Sequence, residues 1–196
     1  MTELLTSLLY AFATLFIILD PILSIPIFVG LTKDKSAEEK TRQAGIAVVV
    51  AGVLLFIFLI FGSLIFDILG ITLASFQVAG GILLFILGMQ EALGIEFAHD
   101  EKSRQNMAGV IIGTPLLCGP GAITTVILLS TKISPLITGI ALFLCLAITW
   151  LILRYAAAIL RIFGSTITDI VARVLGMFLA AIAVKLIAEG AIGLGW

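Results

Sequence analysis

The sequence predicts an all-α fold: a six-helix transmembrane bundle of two inverted three-helix repeats, the first helix of each broken at a Pro-x4-Pro motif. Three observations carry this. Hydrophobic residues make up 61% of the 196 and charged residues only 12%, with a mean hydropathy of +1.28. A soluble domain has roughly 45–50% apolar and about 25% charged residues. The apolar residues gather into six runs long enough to cross a bilayer, which needs about 20 residues. Four of the five prolines fall in two matching motifs, Asp20-Pro21-Ile22-Leu23-Ser24-Ile25-Pro26 and Thr114-Pro115-Leu116-Leu117-Cys118-Gly119-Pro120-Gly121.

Each span follows from its run. The first extends roughly from Leu4 to Leu31, interrupted at Asp20 to Pro26. Its length exceeds a secretory h-region, so the helix is expected to stay in the mature protein. The second runs from about Ala44 to Phe66 and the third from about Thr72 to Leu93. The fourth runs from about Met107 to Leu129, interrupted at Pro115 to Pro120. The fifth covers about Leu136 to Phe163 and the sixth about Ile170 to Ile192. Only Thr32–Gln43 and Glu96–Asn106 are markedly polar linkers, so residues 1–196 read as one transmembrane domain.

Alternate loops lie on opposite faces. One face gathers Lys33, Lys35, Lys40, Arg42, Lys102, Arg104, Arg154, Arg161 and Arg173; the other has only Lys132 and Lys185. The positive-inside rule makes the first face cytoplasmic, with both termini outside and the chain in the cell membrane.

An offset of 94 maps Pro21 onto Pro115 and Pro26 onto Pro120. An offset of 96 maps Gln77-Val78-Ala79-Gly80 onto Arg173-Val174-Leu175-Gly176, and Gly94 onto Gly190. Repeat one is then about 1–96 and repeat two about 97–196. Three spans per half make the halves insert in opposite senses.

Proline inside a helix removes a donor and clashes with the preceding turn. Broken backbone at membrane depth is tolerated only where protein buries it or a cavity solvates it. Two breaks at corresponding places point to a transporter's binding site. Asp20 is the sharpest candidate, an ionisable group at depth beside a break. It suits a coupling proton, a cation or a substrate ammonium; it also suits plain capping of the break. Pro21, Ser24, Pro26, Pro115, Cys118, Gly119, Pro120 and Gly121 form the expected cradle, whose free helix N-termini suit a carboxylate. Thr114, Thr124 and Thr125 offer hydroxyls that could equally pack helices. Gln77 and Arg173 are weaker site candidates, since Arg173 near an interface can simply snorkel.

Lys185 and Glu189 read as an interfacial pair, and His99 as a solvated loop residue. Cys118 and Cys145 read as buried thiols. Gly109, Gly113, Gly139, Gly190 and Gly193 suit close packing within one chain or in a homo-oligomer. No disulfide framework, metal set, cofactor motif or nucleotide loop is present, and a net charge of -1 offers no nucleic-acid surface. An enzyme is not expected.

The broken first span, the stretch Ala79-Gly80-Gly81-Ile82-Leu83-Leu84-Phe85 and the run from Thr114 to Ile123 together resemble the MarC family of multi-pass membrane proteins. Within it they are similar to the branch of small neutral amino acid transporters. Ser24 stands where that family's first motif carries a Gly-Asn type pair, and Cys118 where it carries alanine. The resemblance implies a secondary active transporter for glycine or alanine, coupled to protons or to sodium ions, with alternating access at a midplane site. An uncoupled channel or exporter for a small solute is the alternative. A membrane scaffold and a multidrug efflux pump are further ones, the latter disfavoured because only Phe16 and Phe28 lie near the breaks.

Overall fold

The structure, a computed structural model, describes residues 2–94 and 117–195. Every regular element among them is a helix: α1 (Thr2–Leu19), α2 (Ser24–Leu31), α3 (Ala37–Leu69), α4 (Leu73–Leu93), α5 (Pro120–Lys132), α6 (Pro135–Arg154) and α7 (Ala156–Gly193). Four stretches are long and apolar enough to cross a membrane: α3, α4, α6 and the Asp169–Gly193 part of α7. The bent pair α1–α2, if one span, makes five. The fourth expected span is represented by the apolar helix α5; its first half, with Gly109 and Gly113, and the loop holding His99 lie outside the described residues.

Local chemistry sets the helix ends. Ser36 caps α3 in a reciprocal box with Glu39: each side chain bonds the other residue's backbone N–H. Thr72 caps α4 by accepting from the Ser75 N–H, and Ser134 caps α6 ahead of Pro135. Gly70 and Gly94 close α3 and α4 in the left-handed conformation, at φ 63° and 66°, which glycine reaches without a Cβ clash. At 33 residues α3 is about 50 Å long, more than a bilayer core of about 30 Å. Its charged first turns therefore extend past the hydrocarbon.

The bundle is small inside and large outside. Along α3, Ala44, Ala47, Ala51, Leu55, Gly62 and Phe66 are buried. The opposite stripe, Val49, Val53, Ile57, Ile60, Leu64 and Ile68, is at least 43% exposed at every position. Such a stripe suits lipid, which offers no hydrophobic drive between helices, so small residues that permit close contact hold the interior. The core joins α1 (Ala11, Leu15), α2 (Ile25, Phe28), α5 (Leu117, Val126), α6 (Leu142, Cys145) and α7 (Leu179, Ala183).

The tightest seam is between α4 and α7. A Cβ on Gly88 would stand 2.6 Å from the backbone nitrogen of Ala180. One on Gly176 would stand 2.7 Å from that of Ala92, and one on Gly190 2.7 Å from the Ala74 carbonyl. Dispersion at this range replaces the hydrophobic effect as the source of cohesion.

Two boundaries differ from expectation. The interruption in the first span covers Asp20–Leu23, and Pro26 is the third residue of α2. The first four N–H groups of a helix have no intrahelical acceptor, so a proline there costs no hydrogen bond. The fifth span ends at Arg154, not Phe163: the chain turns at Tyr155, and α7 then bends at Gly164 (φ 75°) before its spanning part. The Arg154 guanidinium lies over the rings of Trp150 and Tyr155, at 5.2 and 5.7 Å. The sequence marks this place only by Arg154 and Arg161, with no proline or glycine at the turn itself.

Candidate functional site

Asp20 occupies the break between α1 and α2, which meet at 45°. The residue before a proline is driven out of the right-handed helical region. Asp20 takes φ 40°, the only positive φ on a non-glycine among the described residues. Aspartate tolerates this region better than most residues. Its N–H still donates to the Phe16 carbonyl at 3.1 Å. Its Oδ1 accepts the Leu23 N–H at 3.1 Å, and its carbonyl accepts the Ser24 hydroxyl at 3.2 Å. Asp20 thus holds the break from both sides.

The other carboxyl oxygen does something else. Asp20 is 6% exposed, and Oδ2 has no donor among the described residues. Across from it stands Glu91 of α4, 8% exposed, whose Oε1 also lacks a donor. The two carboxyl groups lie within hydrogen-bonding reach of each other. Glu91, two residues from the end of its span at Leu93, was not singled out in the sequence. The signal was available: it falls inside the third apolar run, where an ionisable group is a functional candidate by default.

Ser24 is fully buried, Pro21 is buried and Pro26 is half-buried. In the second motif, Thr114 and Pro115 lie outside the described residues. Leu117 and Cys118 are buried in the same core as Leu19 and Ile25, which flank the first break. Gly119 is the N-cap of α5 and Pro120 its first residue. Gly121 meets the side chain of Leu84 on α4, and Thr124 meets Gly80 one turn away. Glycine at 80 and 121 therefore lets α4 and α5 touch. Thr125 is buried with a hydroxyl that has no partner among the described residues.

Gln77 and Arg173 lie apart from each other. Gln77 is one end of α4 and Glu91 the other, about 21 Å away at 1.5 Å per residue. Gln77 Nε2 donates to Glu189 at 3.4 Å. Glu189 also pairs with Lys132, and its Oε1 is 4.0 Å from Lys185 Nζ. Arg173 lies against Gly94, where the carbonyls that end α4 favour a cation. Surface grooves lie elsewhere, one among Phe56, Leu59, Pro135 and Phe143, another among Ala37, Arg42, Trp150 and Arg154.

Comparison with known proteins agrees on the family. The profile described as MarC family integral membrane protein matches residues 5–194. A UPF0056 membrane protein of Archaeoglobus fulgidus is 37% identical over 191 residues, 92% of this chain and 90% of its own. One of Aquifex aeolicus is 34% identical, with the same two shares covered. The UPF0056 membrane protein YvbG of Bacillus subtilis is 32% identical, with 95% of each chain covered. No solved structure matches. A profile match over nearly the whole length, with apolar helices to span a bilayer several times, makes the chain a multi-pass integral membrane protein of the MarC family.

Proposed function

We propose that this protein is a secondary active transporter of small neutral amino acids of the glycine or alanine type, coupled to protons and working by alternating access. The observation that carries this is Asp20, a carboxyl buried at the break between the two helices of the bent first span and closed off from solvent. Burying an ionisable group is expensive and is retained where it does work. A small zwitterion matches the chemistry on hand. The N–H groups of Leu23, Ser24 and Ile25 at the start of α2 are taken up within the break itself, so the expected cradle reduces there to the positive end of the helix dipole, which suits a carboxylate, while Asp20 suits the ammonium or the coupling proton. Tight packing of Ser24, Cys118 and Gly121 supports an occluded carrier rather than a standing pore.

The same proposal includes six spans in two inverted repeats, with both termini outside. Two contacts support the repeat. Gly190 packs on Gln77, and Gly94 on Arg173. Each member of the second pair is 96 residues from its counterpart in the first. A two-fold relation between the third and sixth spans would exchange these contacts.

The test is uptake of labelled glycine and alanine into liposomes holding the purified protein, with and without an inward proton gradient, for wild type and Asp20→Asn. Accumulation above the external level, abolished by a protonophore and by the substitution, is expected. No uptake of either solute under any gradient would overturn the substrate class. Uptake that never exceeds equilibrium would favour the uncoupled channel.

A further inference from the structure

We infer that Glu91 is the second carboxyl of a proton-binding site shared with Asp20, so that one proton held between them joins α4 to the break in the first span. The inference rests on the transport reading only for its role in coupling. The site itself rests on geometry. Both side chains are more than nine-tenths buried, each has one carboxyl oxygen with no donor among the described residues, and the two carboxyls are neighbours. Two carboxylate oxygens at that range repel; a hydrogen bond between them requires a proton on one. Among the described residues no neighbour supplies a neutralising partner. Asp20 is the sole charged residue between Glu3 and Lys33, and Glu91 the sole charged residue of α4. The facing stretch of α7 carries Arg173, which rests on Gly94 and makes no ion pair with Glu91, and α5 carries only Lys132, paired with Glu189 at the Gln77 end.

The placement makes the proton a mechanical part. Glu91 stands against Gly176, in the glycine seam that ties α4 to α7. Asp20 stands at the bend of α1–α2. With one proton the pair is a hydrogen bond closing the two units. When that proton leaves to water on either face, only an O–H bond is exchanged, and two like charges are left in contact. The units are then driven apart. A proton thus binds the two arrangements unequally, as coupling demands.

Infrared spectroscopy of the full chain in liposomes, across a pH series, reads this directly. Wild type should show a protonated-carboxyl stretch at neutral pH that titrates away in alkali. Glu91→Gln and Asp20→Asn should each remove or shift it, since each takes away the partner. Glu91→Asp keeps both carboxyls, should keep a shifted band, and serves if Glu91→Gln does not fold. A wild type without the band, or a band unchanged by either Gln or Asn, overturns the pair. A band abolished by sodium at constant pH also overturns it and makes the site a cation site. In the same liposomes, Glu91→Gln should lose proton-driven glycine accumulation; retained accumulation overturns the coupling role. A wild type with the band but no glycine uptake would sink the transport reading and leave the proton pair standing.

Discussion

Arg173 of α7 lies across Gly94, the left-handed residue that ends α4. Here a helix C-terminus, a backbone conformation open to glycine and a cation coincide. The cation meets the negative end of the helix dipole, and the missing Cβ makes room for the guanidinium. At the far end of the same helix pair, Gly190 meets Gln77 in a like contact. The ends of the α4–α7 unit are therefore fixed by two polar side chains, each laid on a glycine.

Gly94→Ala should cost more than Gly70→Ala. Both glycines have a positive φ near 65°, where an alanine pays roughly 1–2 kcal/mol. Nothing stands within 4 Å of a Cβ at Gly70, whereas at Gly94 it would run into Arg173. Thermal unfolding in mild detergent should rank wild type above Gly70→Ala, and Gly70→Ala above Gly94→Ala. Equal losses would make the Arg173 contact incidental.

The α4–α7 seam gives a sharper contrast. Gly88→Ala sets a methyl against backbone atoms of Gly176 and Ala180, which cannot swing aside. Overpacking of this kind costs about 1–3 kcal/mol. Gly30→Ala, in α2 with open space around it, should be neutral or stabilising by up to about 1 kcal/mol. Paired unfolding measurements check both signs. A Gly88→Ala protein as stable as wild type would mean the seam is looser than it stands here.

Much of this was legible because hydropathy and proline act locally. The second and third spans, written as Ala44–Phe66 and Thr72–Leu93, lie within or match α3 and α4 to a residue. The break after Leu19 falls within the interruption expected from Asp20 to Pro26, and the matched glycines at 80 and 176 suit close helices. The turn at Tyr155 was missed although Arg154 and Arg161 interrupt the run there: two isolated arginines in an apolar stretch mark an interface but carry no glycine or proline to mark a turn. Glu91 was hidden for a different reason. Whether an acid near a span's end faces headgroups or another acid depends on how α4 rotates against α1, and only packing settles that rotation. Gln77 and Arg173 illustrate the same limit: their matching positions did not show that they sit at opposite ends of the α4–α7 pair, each on the glycine that matches the other's.

Lys132 and Glu189 join α5 to α7, with Gln77 of α4 on the same carboxylate. The lysine is 55% exposed and the glutamate 32%, so solvent screens the pair. A double-mutant cycle of Lys132→Ala and Glu189→Gln should give a coupling of about 0.5 kcal/mol, within the 0.2–1 kcal/mol of exposed pairs. The coupling should shrink further in high salt. A value several times larger would show that the pair is sheltered by headgroups or by the partner helices more than its exposure indicates.

Substitutions at Asp20 separate its two roles. Its Oδ1 holds the Leu23 N–H, and its backbone sits at φ 40°. Asparagine keeps an acceptor oxygen and tolerates that φ; alanine does neither. Loss of a capping acceptor costs about 1 kcal/mol, and the left-handed region adds about 1 kcal/mol for alanine. Asp20→Ala should therefore unfold at lower temperature than Asp20→Asn, which should stay close to wild type. Glycine restores the φ without the acceptor and should fall between them. Uptake should follow a different order, with all three inactive, because none supplies a carboxyl opposite Glu91. If activity instead tracked stability across the three, Asp20 would be a structural cap and nothing more. If Asp20→Asn kept full gradient-driven uptake, the coupling proton would have to be carried elsewhere.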